Sequence, residues 1–243
     1  SNVTDVSGMF KNALSFNGDL SSWDVSSVTN MNSMFENAES FAGDLSLWDV
    51  SNVTEMSEMF TGAVSFQSDL SNWDVSSVVD MFRMFKLSNY NGDLSSWDVS
   101  SVENMQAMFN TNIAFNGDLA GWNVVSLTNM HNMFVNASSF NSNISSWDVS
   151  NVTIMSNSFK NAESFNQNLS NWDISSVTTM EGVFNGQTSL SDTNKCYMDD
   201  AFQSNAVWPY EWVGHCQPSL SEIADASILE DETYTIDLEP FGV

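Results

Sequence analysis

The amino-acid sequence predicts an α/β fold: a right-handed solenoid with one short parallel β-strand and one short helical turn in each 25-residue repeat. Three observations lead there. Trp recurs at 23, 48, 73, 97, 122, 147 and 172, and Phe at 10, 35, 60, 85, 109, 134, 159 and 184. A fixed period of this length marks stacked coils that bury their apolar faces only against their neighbours. In the reference repeat, residues 44–66, the stretch Leu45-x-x-Trp48-x-Val50 sets Trp48 and Val50 two apart. In a short strand both then face inward and Asp49 faces outward. Val53, Met56, Met59, Phe60 and Ala63 follow at spacings of three, three, one and three, which places them on one face of a helix or short 3-10 stretch.

Each element has its own signal. Thr54 or Ser51 can accept from the free amides where the helical turn begins, and the stretch from Ser65 to Asp69 returns the chain to the next strand. The inward columns are Leu20, Leu45, Leu70, Leu94, Leu119, Ile144 and Leu169; the Trp series; Val25, Val50, Val75, Val99, Val124, Val149 and Ile174; and Met31, Met56, Met81, Met105, Met130, Met155 and Met180 with the Phe series. Stacked coils need such a Met and aromatic stripe for packing, so it is read as core and not as a cofactor box. Strands about 4.8 Å apart would make the array roughly 30 Å long.

The recurring pattern LSxWDVSxVTxMxxMFxxAxSFN resembles the repeat of the bacterial surface-protein family with 25- to 26-residue repeats, related to the BspA-like leucine-rich repeats and the mycoplasma-lipoprotein-type repeats. The resemblance covers residues 1–190, with Trp-Asp-Val-Ser and Met-Phe recurring in register. It implies a leucine-rich-repeat-like solenoid in a secreted or cell-surface protein, often assigned to adhesion, and it implies no catalytic residue.

Departures from the repeat mark special places. One residue is missing between Trp73 and Trp97 near Tyr90, which replaces the usual Phe, so that return loop should tighten. Asn112 stands where other repeats have Ala, and Asn123-Val124-Val125 replaces Asp-Val-Ser; a local weakness is expected there. Gly182-Val183-Phe184 replaces the Met-Phe pattern, and the repeat is expected to dissolve towards Leu190.

Residues 191–216 read as a C-terminal cap, because a terminal coil exposes its core and must be covered; Phe202, Trp208 and Trp212 supply the apolar cluster. The chain's two cysteines, Cys196 and Cys216, both lie there and read as one disulfide formed in an oxidising compartment. A metal pair with His215 is the alternative, and it lacks a fourth ligand. Residues 217–243 alternate like strands from Thr233 and read as a linker and the truncated start of a β-sandwich-like module. The chain begins in mid-repeat, as a piece of a longer multidomain protein would, and is expected to be monomeric within it.

Charge excludes several partners. With 31 acidic against 5 basic residues the net charge is −26, which repels nucleic-acid backbones and anionic lipid. No apolar run reaches the length of a membrane span, so direct membrane insertion of this fragment is not expected. The 17 Phe, 9 Trp and 14 Met separate the chain from acidic disordered sequences.

Chemistry must come from the outward columns. Asp24, Asp49, Asp74, Asp98, Asp148 and Asp173, with Asn123 completing the row, are flanked by Ser26, Ser51, Ser76 and Ser100, and these are the candidate binding residues. A second row runs Asp19, Asp44, Asp69, Asp93, Asp118, Asn143 and Asn168. Capping of turn amides is the simpler reading of both rows. The sharper one is a ladder that meets an extracellular protein or glycan, or gathers Ca²⁺. Paired carboxylates occur in glycosidases too, but seven near-copies argue against a unique active site, and neither His131 nor His215 has a nucleophile or metal-ligand spacing beside it. Asn-x-Ser/Thr sequons, as at Asn52 and Asn151, signal glycosylation only in a eukaryotic source. The expectation is therefore a non-enzymatic, extracellular or cell-surface adhesion module without a cofactor. Its alternatives are a structural spacer and a Ca²⁺-dependent carbohydrate-binding module.

Overall fold

A computed structural model of the chain describes residues 2–212 and 216. Its repeats stack in 25-residue register, but the coil is built from turns. In the coil 44–68, N–H groups donate three residues back at Trp48 to Leu45 (3.1 Å), Val53 to Val50 (2.9 Å), Met59 to Met56 (3.3 Å), Ala63 to Phe60 (3.1 Å) and Phe66 to Ala63 (3.2 Å). Such a turn holds the first and fourth Cα atoms within about 7 Å, so both of its ends can face the core. A spacing of three therefore buries every member without a helix.

Backbone hand stops helix propagation. Glu58 and Gly62 have φ of 59° and 69°, and the same pair of positions is left-handed in Ser33 and Asn37, Arg83 and Leu87, Ala107 and Thr111, Asn132 and Asn136, Asn157 and Asn161, and Gly182 and Gly186. A left-handed residue costs an L-amino acid about 1–2 kcal/mol and costs Gly or Asn least, which accounts for the frequent Asn and Gly in these columns. The reward is an alternation of hydrogen bonds. Met56, Glu58, Phe60 and Gly62 donate across to Asp80, Phe82, Met84 and Lys86 of the next coil at 3.1, 2.6, 2.9 and 2.8 Å, while Met59, Thr61 and Ala63, which lie between and after them, close turns inside their own coil.

The expected strand-plus-helix repeat is thus overturned. Among the described residues, coils meet through isolated parallel bridges, Asp5 to Asn30, then Glu55, Asp80, Asn104, Asn129, Ile154 and Thr179, and no sheet with a strand per repeat forms. The leucine-rich-repeat-like α/β solenoid falls with it, because Leu45-x-x-Trp48 is a closed turn and not a strand. Asp49 faces solvent between buried Trp48 and Val50 all the same.

Aromatic rings run along the stack. Phe35 stacks on Phe60 at 5.6 Å and Phe60 on Phe85 at 5.7 Å. A second column, Phe41, Phe66, Tyr90, Phe115, Phe140 and Phe165, is equally buried, and its rings lie about one van der Waals thickness from the first column, as in Phe60 to Phe66 at 4.0 Å. The return segment thus contributes core and not loop. Each buried ring adds roughly 1.5–3 kcal/mol of hydrophobic stabilisation. The Trp indoles form the third column and pin neighbouring coils together: Trp48 Nε1 donates to Leu20 O of the preceding coil (3.0 Å), Trp73 to Leu45 O (3.0 Å) and Trp97 to Leu70 O (2.9 Å).

The pattern does not dissolve at Gly182. Glycine suits the left-handed position, Val183 takes the buried Met place, and Phe184 stacks on Phe159 at 5.6 Å. Beyond it lies α1 (Asp192–Phe202), capped by Ser191, whose hydroxyl accepts from Asn194 N–H at 3.2 Å. Trp208, Tyr210 and Trp212 surround Phe184 with centroids 6.3, 6.2 and 5.8 Å away, and Trp208 Nε1 is held by Asp199 at 2.8 Å. Cys196 and Cys216 are disulfide-bonded, with Cα atoms 4.8 Å apart. His215 and the segment 217–243 lie outside the described residues.

Candidate functional site

The outward Asp residues sit at the corners of the coil, and each carboxylate closes a small turn with the residue two ahead. Asp49 Oδ1 accepts from Ser51 N–H at 3.1 Å and Ser51 Oγ at 2.6 Å. Asp24 with Ser26, Asp74 with Ser76 and Asp148 with Ser150 repeat this pair of contacts. Asp98 and Asp173 accept from the amides of Ser100 (3.0 Å) and Ser175 (2.9 Å), and Asn123 holds Val125 N–H more loosely at 3.3 Å. The second row does the same work at the preceding corner, as Asp44 to Ser46 N–H at 2.9 Å and Asn143 to Ser145 N–H at 3.1 Å. Asp24, Asp49, Asp74, Asp98, Asp148 and Asp173 are all exposed, and Ser26, Ser51, Ser76 and Ser100 are half-buried beside them.

A third row escaped the sequence reading. Asp5, Asn30, Asp80, Asn104 and Asn129 accept from the amides of Ser7 (2.8 Å), Asn32 (3.0 Å), Phe82 (2.7 Å), Gln106 (3.0 Å) and His131 (3.0 Å). The signal was present as an Asn or Asp column at the repeat period, before Val6 in the first coil and before Met in the others. It looked like variable surface because Glu55, Ile154 and Thr179 interrupt it.

Two forces act on these carboxylates in opposite directions. Neighbouring coils lie about 4.8 Å apart, where like charges repel by roughly 0.9 kcal/mol in bulk water. The hydroxyl and amide donors prevail. Ser26 holds Asp24 down to about 2, and the Ser51, Ser100, Ser150 and Ser175 hydroxyls hold Asp49, Asp98, Asp148 and Asp173 below the usual carboxylate range, even with Asp24 pushing Asp49 the other way. These five carboxylates are therefore ionised at neutral pH.

Between the two rows runs an exposed column, Ser22, Leu47, Asn72, Ser96, Gly121, Ser146 and Asn171, with Leu47 84% exposed. The arrangement offers charge and hydroxyls at a constant step along the stack. Among the described residues no group of three or more His, Cys, Asp or Glu side chains is placed to hold a metal ion. No helix among them is long and apolar enough to cross a membrane. Cations gather elsewhere: Lys11 pairs with Glu36 at 2.6 Å and Arg83 with Glu58 at 3.0 Å.

A family described as Mycoplasma protein of unknown function, DUF285, matches residues 1–90 and again 86–197, the two matches meeting inside the shortened coil. No curated protein matches the chain. The match is to a repeat family and carries no leucine-rich-repeat assignment, in keeping with the turn-built coil.

Proposed function

The chain belongs to this DUF285 family, and we propose that it is an extracellular or cell-surface binding module that meets an extended protein or glycan partner along its acidic, hydroxyl-rich face. The observation that carries this reading is the row of exposed carboxylates Asp24, Asp49, Asp74, Asp98, Asp148 and Asp173, one in each coil except where Asn123 stands, each held by its own Ser. A partner with basic groups or hydroxyls at a similar step would gain one contact per coil, so affinity would rise with the number of coils engaged. The likeness of the repeat pattern to bacterial surface proteins supports the extracellular placement, and so does the Cys196–Cys216 bond, which persists best in an oxidising compartment.

The uniformity of that face favours a second reading, a spacer that holds other domains away from a surface. One experiment separates them. Asp49→Asn, Asp74→Asn and Asp98→Asn together remove three adjacent charges, and Asn closes the same turn, as Asn143 does with the Ser145 amide and hydroxyl. The triple variant, compared with the parent on glycan and matrix-protein arrays at low and high salt and with a chelator, should bind about tenfold more weakly, with a reduced salt dependence. Unchanged binding by a folded triple variant, or no binding by the parent, leaves the spacer.

A further inference from the structure

Four of the chain's five cations, Lys11, Arg83, Lys86 and Lys160, stand in the part of the coil bounded by the two left-handed positions, and none stands in the Asp rows. Among the described residues Lys11 pairs with Glu36, Arg83 with Glu58 and Lys195 with Asp192, while Lys86 and Lys160 have no ion-pair partner. In a chain with 31 acidic residues, that solitude is a local property. In the three coils after Arg83 the half-buried positions of this part of the coil include Gln106, Asn110, Asn132, Asn136, Asn157 and Asn161, and among the described residues none of these positions holds a carboxylate. Burial and the neighbouring Arg83 guanidinium hold Lys86 below the ordinary lysine value, and an anion beside it would relieve both effects. The amides form a ladder: Asn161 Nδ2 donates to Asn136 Oδ1 at 2.9 Å, and Asn136 Nδ2 to Thr111 Oγ1 at 3.3 Å. Each carboxamide carries two N–H groups and uses one along the stack, which leaves the second for a ligand.

We propose that this amide face is a second binding site, separate from the acidic one, for a sparsely charged acidic polysaccharide lying along the stack. Its carboxylates meet Lys86 and Lys160, and its hydroxyls meet the amides between them. The two lysines stand three coils apart, about 14 Å at about 4.8 Å per coil, with room for uncharged sugar residues in the interval. Charge complementarity is local here. The lysines attract isolated carboxylates, while the net charge of −26 repels a chain that carries an anion on every unit. An acidic protein segment is the poorer occupant. Protein interfaces anchor on aromatic and apolar side chains at their centre, and Phe109, Phe134 and Phe159 of these coils are wholly buried. A side-chain amide both donates and accepts, as a sugar hydroxyl does.

The test measures binding of the protein to four probes: a partly methyl-esterified galacturonan, the same chain fully esterified, heparin and polyglutamate. The parent should prefer the partly esterified chain to the other three. Lys86→Gln and Lys160→Gln should each weaken that binding about threefold to fivefold, and Lys160→Arg should retain it. Neither Gln variant breaks an ion pair, so their melting temperatures should match the parent's. Asp49→Asn, Asp74→Asn and Asp98→Asn together should leave this binding as tight or tighter, which separates its failure from that of the acidic face. Equal affinity for the fully esterified chain, tighter binding of heparin or polyglutamate, no binding of any probe, or parental affinity in both Gln variants overturns the proposal. A parent that sediments as a dimer and becomes monomeric with Lys86→Gln or Lys160→Gln also overturns it, by making a second copy the occupant.

Discussion

The coil 44–68 and the shortened coil 69–92 do the same job with different chemistry at the return to the next corner. In the regular coil Ala63 closes the turn, and Phe66 N–H donates to its carbonyl at 3.2 Å. In the shortened coil Ser88 takes the Ala place and Asn89 alone spans the gap to Tyr90. Ser88 Oγ donates to Phe85 O at 2.9 Å and accepts from Tyr90 N–H at 3.4 Å. The next coil completes the repair. Asn112 Nδ2 donates to Tyr90 O at 2.9 Å and Ser88 Oγ at 3.2 Å, and its Oδ1 accepts from Ala114 and Phe115 amides at 3.3 and 3.2 Å. The expected weakness at Asn112 is instead a satisfied buried network. A deletion in one coil is absorbed by a polar side chain in its neighbour, so coils are coupled in pairs as a stack with only nearest-neighbour contacts requires.

That comparison can be broken from either side. Asn in a regular coil has no such partners, so Ala137→Asn should destabilise the protein by about 4 kcal/mol through overpacking and a dry amide. Asn112→Ala should cost about 2–3 kcal/mol, since it strands Tyr90 O and two amides in a buried site. Urea denaturation of both variants and of Ser88→Ala/Asn112→Ala measures this. The double variant should lose about 1 kcal/mol less than the two single losses added together, because the same network is removed twice. Additive losses would show that the two residues act separately.

A smaller effect concerns backbone hand. Leu87 is exposed at φ 56°, in the column where Gly62 and Gly186 stand. Leu87→Gly should stabilise by about 0.5–1 kcal/mol, because relief of left-handed strain exceeds the added entropy of the unfolded glycine. A helical turn at that place would instead lose about 1 kcal/mol. The thermal midpoint of this one variant separates the two backbones.

The smallest effect per residue is the pH response of the corner turns. Asp19, Asp24, Asp44, Asp49, Asp69, Asp93, Asp98, Asp148 and Asp173 are held below the ordinary value of 3.8, so their contribution is complete above that pH and is lost as pH falls through the native values, towards about 2 for Asp24. Denaturation midpoints should be level from neutrality to about pH 4 and decline below it. Asp148→Asn should shallow that decline without moving the neutral midpoint, as its counterpart Asn123 already shows a corner closing without charge.

Much of this was legible in the chain. The period, the Trp, Val, Met and first Phe columns, the outward Asp rows and the need for a terminal cover follow from residue spacing alone. The backbone did not, for a physical reason. Residues three apart meet both on a helix face and across a β-turn, and Val53, Met56 and Met59 carry no information that separates the two. The discriminating signal lay off the apolar columns, in Asn and Gly recurring at 37, 62, 136, 161 and 186 and at 132, 157 and 182, where a helix would avoid glycine. Phe66 was read as part of a return loop because its neighbours Ser65 and Gln67 are polar, although its own column, 41, 66, 115, 140 and 165, is unbroken apart from Tyr90. At the candidate site the residues were legible and their engagement was only partly so, since the same Asp-x-Ser spacing serves a turn and a binding face at once.

The central claim is that each coil is closed by turns with left-handed residues at fixed places. Backbone couplings and carbon chemical shifts measured by NMR across residues 53–63 and 78–88 test it most directly. The account predicts positive φ at Glu58, Gly62, Arg83 and Leu87, with neighbouring residues on the other side of the map. An uninterrupted run of helical shifts from Val53 to Ala63 would contradict it.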